Sequence, residues 1–280
     1  METHQIFKDH SPNPTNEERN SEARAAGGFV IEGHDLAMTF GTKRVFAGIN
    51  VGVRPAEVLA IVGGSGCGKS TLMRQLALLQ TPTSGSVTVF GTTVTDMEDG
   101  RAGSLRRQLG VMFQNGALFG DLTVLENVSL PLQEHTELSL PLIEQVAMLK
   151  IALAGLGPEA AALFPSQLSG GMRKRAAVAR GIALDPAVLF LDEPSSGLDP
   201  ISADAMDELV VQLKETLGLA VVLVTHDMDS LWRVADRILL LSDGGVAAEG
   251  TIQQLVDSDN PVARQFFHSR RGRASGAMYD

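Results

Sequence analysis

A chain of 280 residues with 44% hydrophobic content is long enough to bury one large core, or a main lobe and a smaller one, which excludes a wholly disordered protein. Its formal net charge of −10 and pI near 5.1 argue against broad electrostatic binding to nucleic acid, which needs clustered Lys and Arg facing the phosphates. Cys67 is the single cysteine, so no disulfide can close within the chain and a cytosolic setting fits.

The first 28 residues lack the basic start and apolar run of a secretory signal and read as a solvated, flexible tail. The fold is expected to begin near Phe29. From there to Val53, short alternating runs separated by Gly41-Thr42-Lys43 predict antiparallel strands. The texture then changes to buried strand, glycine loop and helix: Val58–Val62 is continuously apolar, ends in glycines and precedes STLMRQLALLQ. Runs at 187–191 and 219–224 repeat that pattern, each followed by polar residues and a helical period. Between about Asn115 and Ser169 the strand texture disappears; LTVLENVSLPLQ, LPLIEQVAMLKIALAGL and PEAAALFPSQL predict helices broken by prolines and glycines, an inserted helical lobe. After His268 the chain has no apolar period and reads as a tail. No apolar stretch reaches the ~18 residues that a membrane-spanning helix needs.

Chemistry-bearing residues fall at the ends of the buried strands. Gly63, Gly64, Ser65, Gly66, Cys67, Gly68, Lys69 and Ser70 match the phosphate-loop pattern G-x-x-x-x-G-K-[ST], placed between a buried strand and a helix. Glycines let backbone N–H groups turn around phosphate oxygens, and the helix N-terminus that follows adds partial positive charge. Lys69 is then expected on the β- and γ-phosphates and Ser70 on Mg²⁺. Asp192 and Glu193 close the strand at 187–191, on the sheet edge where parallel α/β proteins bind ligands. Asp192 is expected to hold Mg²⁺ through water, and Glu193 to orient and deprotonate an attacking water. His226 follows the next buried strand, within reach of a γ-phosphate. Ser169 sits where a helix N-cap belongs, followed by Gly170 and Gly171, which permit close approach of a ligand.

Taken in order, the phosphate loop, Gln114, LSGG, Asp192-Glu193, Ser196-Gly197-Leu198-Asp199 and His226 resemble an ABC-transporter nucleotide-binding domain, over about Phe29 to Phe267. The resemblance implies an α/β fold: a mixed, mainly parallel sheet core with an antiparallel β subdomain and an inserted α-helical subdomain. It implies ATP and Mg²⁺ as cofactors and a head-to-tail homodimer. In such a pair Ser169, Gly170 and Gly171 cap the ATP held by the partner's Gly63–Thr71 loop, and Asp199 lies at the junction. Gln114 is implied as a contact to Mg²⁺ and water on a loop that touches the membrane subunit. Phe40 stands where an aromatic stacks on adenine, or is simply a strand core residue. Residues 115–122 form the segment expected to face a permease; Val124, Leu125 and Val128 belong either to that face or to the lobe core.

Met172, where glutamine is usual, and the stretch VMFQNGALFGDLTVLENVSLPLQEHT make the chain similar to the ATPases of Mla/Mce-type phospholipid transporters. That likeness implies lipid transport between bacterial membranes from the cytoplasmic side of the inner membrane, with an integral permease, an Mce-domain protein and a small STAS-domain protein as partners. The same engine with another cargo, such as an amino acid, metal or drug, is the alternative. A non-transport ABC ATPase working on ribosomes or DNA fits poorly: the chain is acidic and has neither a second nucleotide domain nor a long coiled-coil insert. Arg270, Arg271, Arg273 and Tyr279 either clasp a neighbouring subunit or belong to a solvated tail.

Overall fold

The computed structural model of the chain describes residues 28–94 and 100–268. The tails expected before Phe29 and after His268 lie almost entirely outside the described residues, as do Arg270, Arg271, Arg273 and Tyr279.

Two sheets form the core. Strands β1 (Ile31–Phe40), β2 (Lys43–Val53), β4 (Ser84–Val89) and β5 (Thr92–Val94) make an antiparallel sheet in the order β2-β1-β4-β5. Its first hairpin turns through Gly41 at φ +57°, a conformation that glycine adopts without a Cβ penalty. Strands β3 (Val58–Gly63), β6 (Leu109–Met112), β7 (Val188–Asp192), β8 (Ala220–Val224), β9 (Arg237–Ser242) and β10 (Gly245–Gly250) make the second sheet, ordered β10-β9-β3-β8-β7-β6. All its pairings are parallel except β9 with the edge strand β10.

The continuous apolar runs are explained by what covers each face. Successive residues of a strand point to opposite sides. Along β8, Ala220, Val222 and Val224 enter the core shared with the antiparallel sheet and helix α1 (Lys69–Leu76), whereas Val221 and Leu223 pack against the other layer. That layer contains α5 (Gly170–Gly181) and α6 (Pro200–Leu217). Arg237 and Glu57, both buried, pair through Nε and Oε2 at 3.2 Å, and Arg237 also donates to the Gly52 carbonyl, joining the two sheets. Short helices α2 (Gly100–Arg106), α7 (Met228–Val234), α8 (Ile252–Val256) and α9 (Pro261–Phe267) complete the shell.

The lobe is built on α3 (Val124–His135) and α4 (Leu140–Leu153), with an apolar core of its own that takes in Ala176 and Ala179 of α5. Val124 and Val128 are fully buried there and so are lobe core rather than docking face, while Leu125, partly buried, packs against that core. Two helical expectations are modified. Helix α3 continues through Pro131 instead of breaking at it. The stretch at 158–167 forms only two 3₁₀ turns, Pro158–Ala162 and Pro165–Gln167, because Pro165 steers Phe164 into extended backbone between them. The lobe's leading turn is fixed by Asn127: its Nδ2 donates to the carbonyls of Phe119, Leu122 and Thr123, and its Oδ1 accepts from the Phe119 N–H. Among the described residues, no helix is long and apolar enough to cross a membrane.

Candidate nucleotide site

Strands β3, β8, β7 and β6 are neighbours and run parallel, so their C-terminal ends lie side by side. The loop after β3 carries Gly63 to Gly68, and β7 ends at Asp192. His226 follows β8 and Gln114 follows β6. The sheet therefore gathers at one edge residues spread from 63 to 226 in the sequence.

The loop needs its glycines for different reasons. Gly63 has φ +145°, and a Cβ there would lie 2.3 Å from the Leu241 carbonyl oxygen. Gly68 has φ +99°, and its Cβ would meet the Phe46 ring at 2.7 Å. Gly64 faces open space and Ser65 and Gly66 are exposed, which leaves this stretch of backbone accessible to a ligand. Lys69 Nζ donates to the Gly63 and Gly64 carbonyls, both at 3.0 Å, so the ammonium arches back over the loop. Thr71 is half-buried in the first turn of α1, and Cys67 is partly buried with its thiol free.

Ser70 Oγ donates to Asp192 Oδ1 at 3.1 Å, placing a hydroxyl and a buried carboxylate at one point. Beside it, His226 Nδ1 lies 2.7 Å from Glu193 Oε2 and 2.9 Å from Oε1. Glu193 has φ +53°, a left-handed conformation that is unfavourable for a residue with a side chain. Its N–H donates to the Val224 carbonyl at 2.8 Å, which turns it out of the strand direction.

Ser169, Gly170, Gly171 and Asp199 form a second group. Ser169 Oγ accepts from the Met172 N–H and caps α5; Asp199 accepts from the Ser202 N–H and hydroxyl and caps α6. The Ser202 hydrogen bonds hold the Asp199 carboxyl below the usual carboxylate range. A Cβ on Gly170 would touch Leu198, and one on Gly171 would touch Ser202, so the two caps are adjacent. Phe40 ends β1 with 52% of its surface exposed, outside the strand core and free to stack.

Three features carry no motif in the sequence. The cations of α5 reach carbonyls of distant segments: Arg175 those of Ala154 and Ala205, Arg180 those of Gly116 and Ala117, and Lys174 those of Gln114 and Glu193. Asp207 of α6 accepts twice, at 2.9 Å, from the Ser230 hydroxyl of α7, which also meets Ser195 Oγ at 3.5 Å. Burial pushes the Asp207 carboxyl up to about 6 against the opposing Ser230 hydrogen bond. Lys150, buried in α4, reaches across to Asp185. The only local hint was the run Arg173-Lys174-Arg175, whose spacing does not say what each cation meets.

The sequence model of the family described as ABC transporter matches residues 46–196. The intermembrane phospholipid transport system ATP-binding protein MlaF of Escherichia coli K12 is 38% identical over 237 residues, covering 85% of this chain and 88% of that protein. The probable ribonucleotide transport ATP-binding protein mkl of Mycobacterium tuberculosis H37Rv is 36% identical over 87% of this chain and 68% of its own length. Among solved structures, the dimeric post-hydrolysis state of the ATP-binding cassette MJ0796 with ADP and Pi superposes with a TM-score of 0.72 at 31% identity, covering 79% of this chain and 98% of that one.

Proposed function

This chain belongs to the ABC transporter family, and on that footing we propose that it is the ATP-hydrolysing subunit of a phospholipid transporter. The observation that carries the reading is the pairing of Ser70 with Asp192 beside that of Glu193 with His226, at the ends of adjacent parallel strands. The donor set fits Mg²⁺: a hydroxyl and one carboxylate oxygen are hard ligands, too few for a closed protein cage, and they leave positions for phosphate and water. Bound with ATP, the ion neutralises charge on the phosphate oxygens.

The chain's own residues have distinct roles in this reading. The loop from Gly63 to Thr71 wraps the phosphates, and Lys69 exchanges its two loop carbonyls for phosphate oxygens. Glu193 accepts the proton of the attacking water, and His226 fixes the orientation of that carboxylate while reaching for the γ-phosphate. Gln114 helps place the water and the metal. Phe40 stacks on adenine. The adjacent caps at Ser169 and Asp199 face the nucleotide of a second copy, so hydrolysis needs a head-to-tail homodimer.

Phospholipid as the cargo rests on the likeness to the Escherichia coli protein. In this reading the subunit sits on the cytoplasmic face of the inner membrane, attached through an integral permease, with an Mce-domain protein and a STAS-domain protein in the same assembly. Purification from the native membrane in mild detergent, with mass spectrometry of what accompanies the chain, tests it. Recovery of a permease, an Mce-domain protein and phospholipid is expected. A ribonucleotide, amino-acid or metal permease in their place overturns the cargo and leaves the ATPase, whereas ribosomal or DNA-repair proteins without a permease overturn the transporter.

A further inference from the structure

We propose that Lys174 is a positioning residue for hydrolysis, its ammonium holding the main-chain carbonyls of Glu193 and Gln114 in register with the helix that Ser169 caps. The assignment rests on the roles given to Glu193 and Gln114 above. Lys174 Nζ lies 2.9 Å from the Glu193 oxygen and also donates to that of Gln114, residues 19 and 60 positions away. Three segments thus meet at one ammonium: the first turns of α5, the end of β7 and the loop after β6.

Glu193 is where such a tie matters most. Its left-handed backbone is disfavoured for a residue with a side chain and persists only where the surroundings over-determine it. On one side its N–H is held by Val224 at 2.8 Å. On the other, its carbonyl accepts from Lys174 at 2.9 Å and, at a longer 3.3 Å, from the Ser196 N–H. Without the ammonium, the weaker contact alone fixes the outgoing peptide, and the carboxylate that faces His226 is free to swing with it.

Lys174 is held by its two carbonyl contacts within the field of nearby carboxylates. Burial lowers the Lys174 pKa, and the carboxylates of Glu193 and Asp192 oppose that shift. An ammonium half withdrawn from water is costly unless its N–H groups are used, and here they go to two neutral carbonyls. The same helix begins at Ser169, five residues earlier in the chain, at the end assigned to the partner's nucleotide. A shift of α5 at one nucleotide therefore reaches, through Lys174, the water-activating residue of the other.

The test is steady-state and single-turnover ATP hydrolysis by the full-length protein with its permease, comparing K174M, E193Q and the double variant. For K174M, kcat is expected to fall roughly 10–100-fold, the scale of a misplaced catalytic group, with KM for ATP within about twofold of wild type. The double variant is expected to lose clearly less than the product of the two single losses, because Lys174 acts in part through the Glu193 carboxylate. A K174M kcat within about twofold of wild type, a KM that rises as kcat falls, or losses that multiply in the double variant each overturn the assignment. Full turnover by E193Q would instead overturn the reading of Glu193 itself. Should K174M fail to fold, K174Q, which keeps two N–H donors on a shorter stem, is judged by the same kcat and KM criteria.

Discussion

The His226 imidazole straddles the Glu193 carboxylate, with Nδ1 2.7 Å from one oxygen and 2.9 Å from the other, across 33 residues of sequence. That contact turns both carboxylate oxygens toward the imidazole. The E193Q variant is expected to keep its ATP affinity and to lose roughly 100–1,000-fold in kcat, accumulating ATP-bound dimers. The H226A variant leaves the carboxylate in place without its orienting partner and is expected to lose at least about tenfold. Phosphate release and light scattering with ATP measure both; unchanged turnover in either variant contradicts its assigned role.

The phosphate loop has two separable requirements, shape and charge. A Cβ at Gly63 would press on the Leu241 carbonyl at 2.3 Å in a backbone conformation that L residues avoid, so G63A is expected to lose both stability and nucleotide affinity. In K69A the glycines that set the turn remain, and the ammonium with its two loop contacts is lost. A fall in ATP affinity of at least about tenfold is expected, with a melting temperature lowered less than in G63A. Titration with a fluorescent nucleotide analogue and thermal melts distinguish the two; normal affinity in K69A contradicts the phosphate contact.

Asp207 makes stability depend on pH. Its folded-state pKa of about 6 lies above the ordinary 3.8, so the folded protein holds the proton more tightly. The stabilisation is fully present below the unfolded pKa and is lost as pH rises through about 6. Asp204, Asp227 and Arg233 surround the group: the first two raise the pKa and Arg233 lowers it. The D207N variant keeps an acceptor for Ser230 without the charge. Relative to wild type, D207N is expected to gain on the order of 1 kcal/mol between pH 5.5 and 7.5. Urea midpoints at the two pH values measure this, and a constant difference rules it out.

The buried Glu57–Arg237 pair predicts a stability loss without a direct loss of chemistry. Removing one charge strands the other in a poorly solvated place, although Glu249 also bonds Arg237. The E57Q variant is expected to be destabilised by about 2–4 kcal/mol while its KM for ATP stays within about twofold. Denaturant melts beside ATPase assays check this.

The strand-end chemistry was legible in the sequence because its signals are local: glycines at positive φ, a hydroxyl after Lys69, carboxylates where an apolar run stops. The layers were legible too, since strands covered on both faces read as unbroken apolar runs. What escaped was the choice of long-range partner. Nothing near Lys174 announces carbonyls 19 and 60 residues away, and nothing near Asp207 announces Ser230. Val124 and Val128 had two readings because an apolar helix stripe looks the same against a core or a partner. The lobe's own packing decided between them.

Asn127 and Arg180 together have a mechanical consequence. The first clamps the turn at Phe119, Leu122 and Thr123 to α3, and the second clamps Gly116 and Ala117 to α5. The segment from Gly116 to Thr123 is thus tied at one end to α5, which packs on both the sheet and the lobe, and at the other to α3. Phe113, Gln114 and Asn115 are the short link from β6 to that segment, closed by the Gly116 N–H on the Phe113 carbonyl at 2.7 Å. Gln114 sits in that link, where the Lys174 ammonium joins its carbonyl to that of Glu193 and so couples the two loops through one cation.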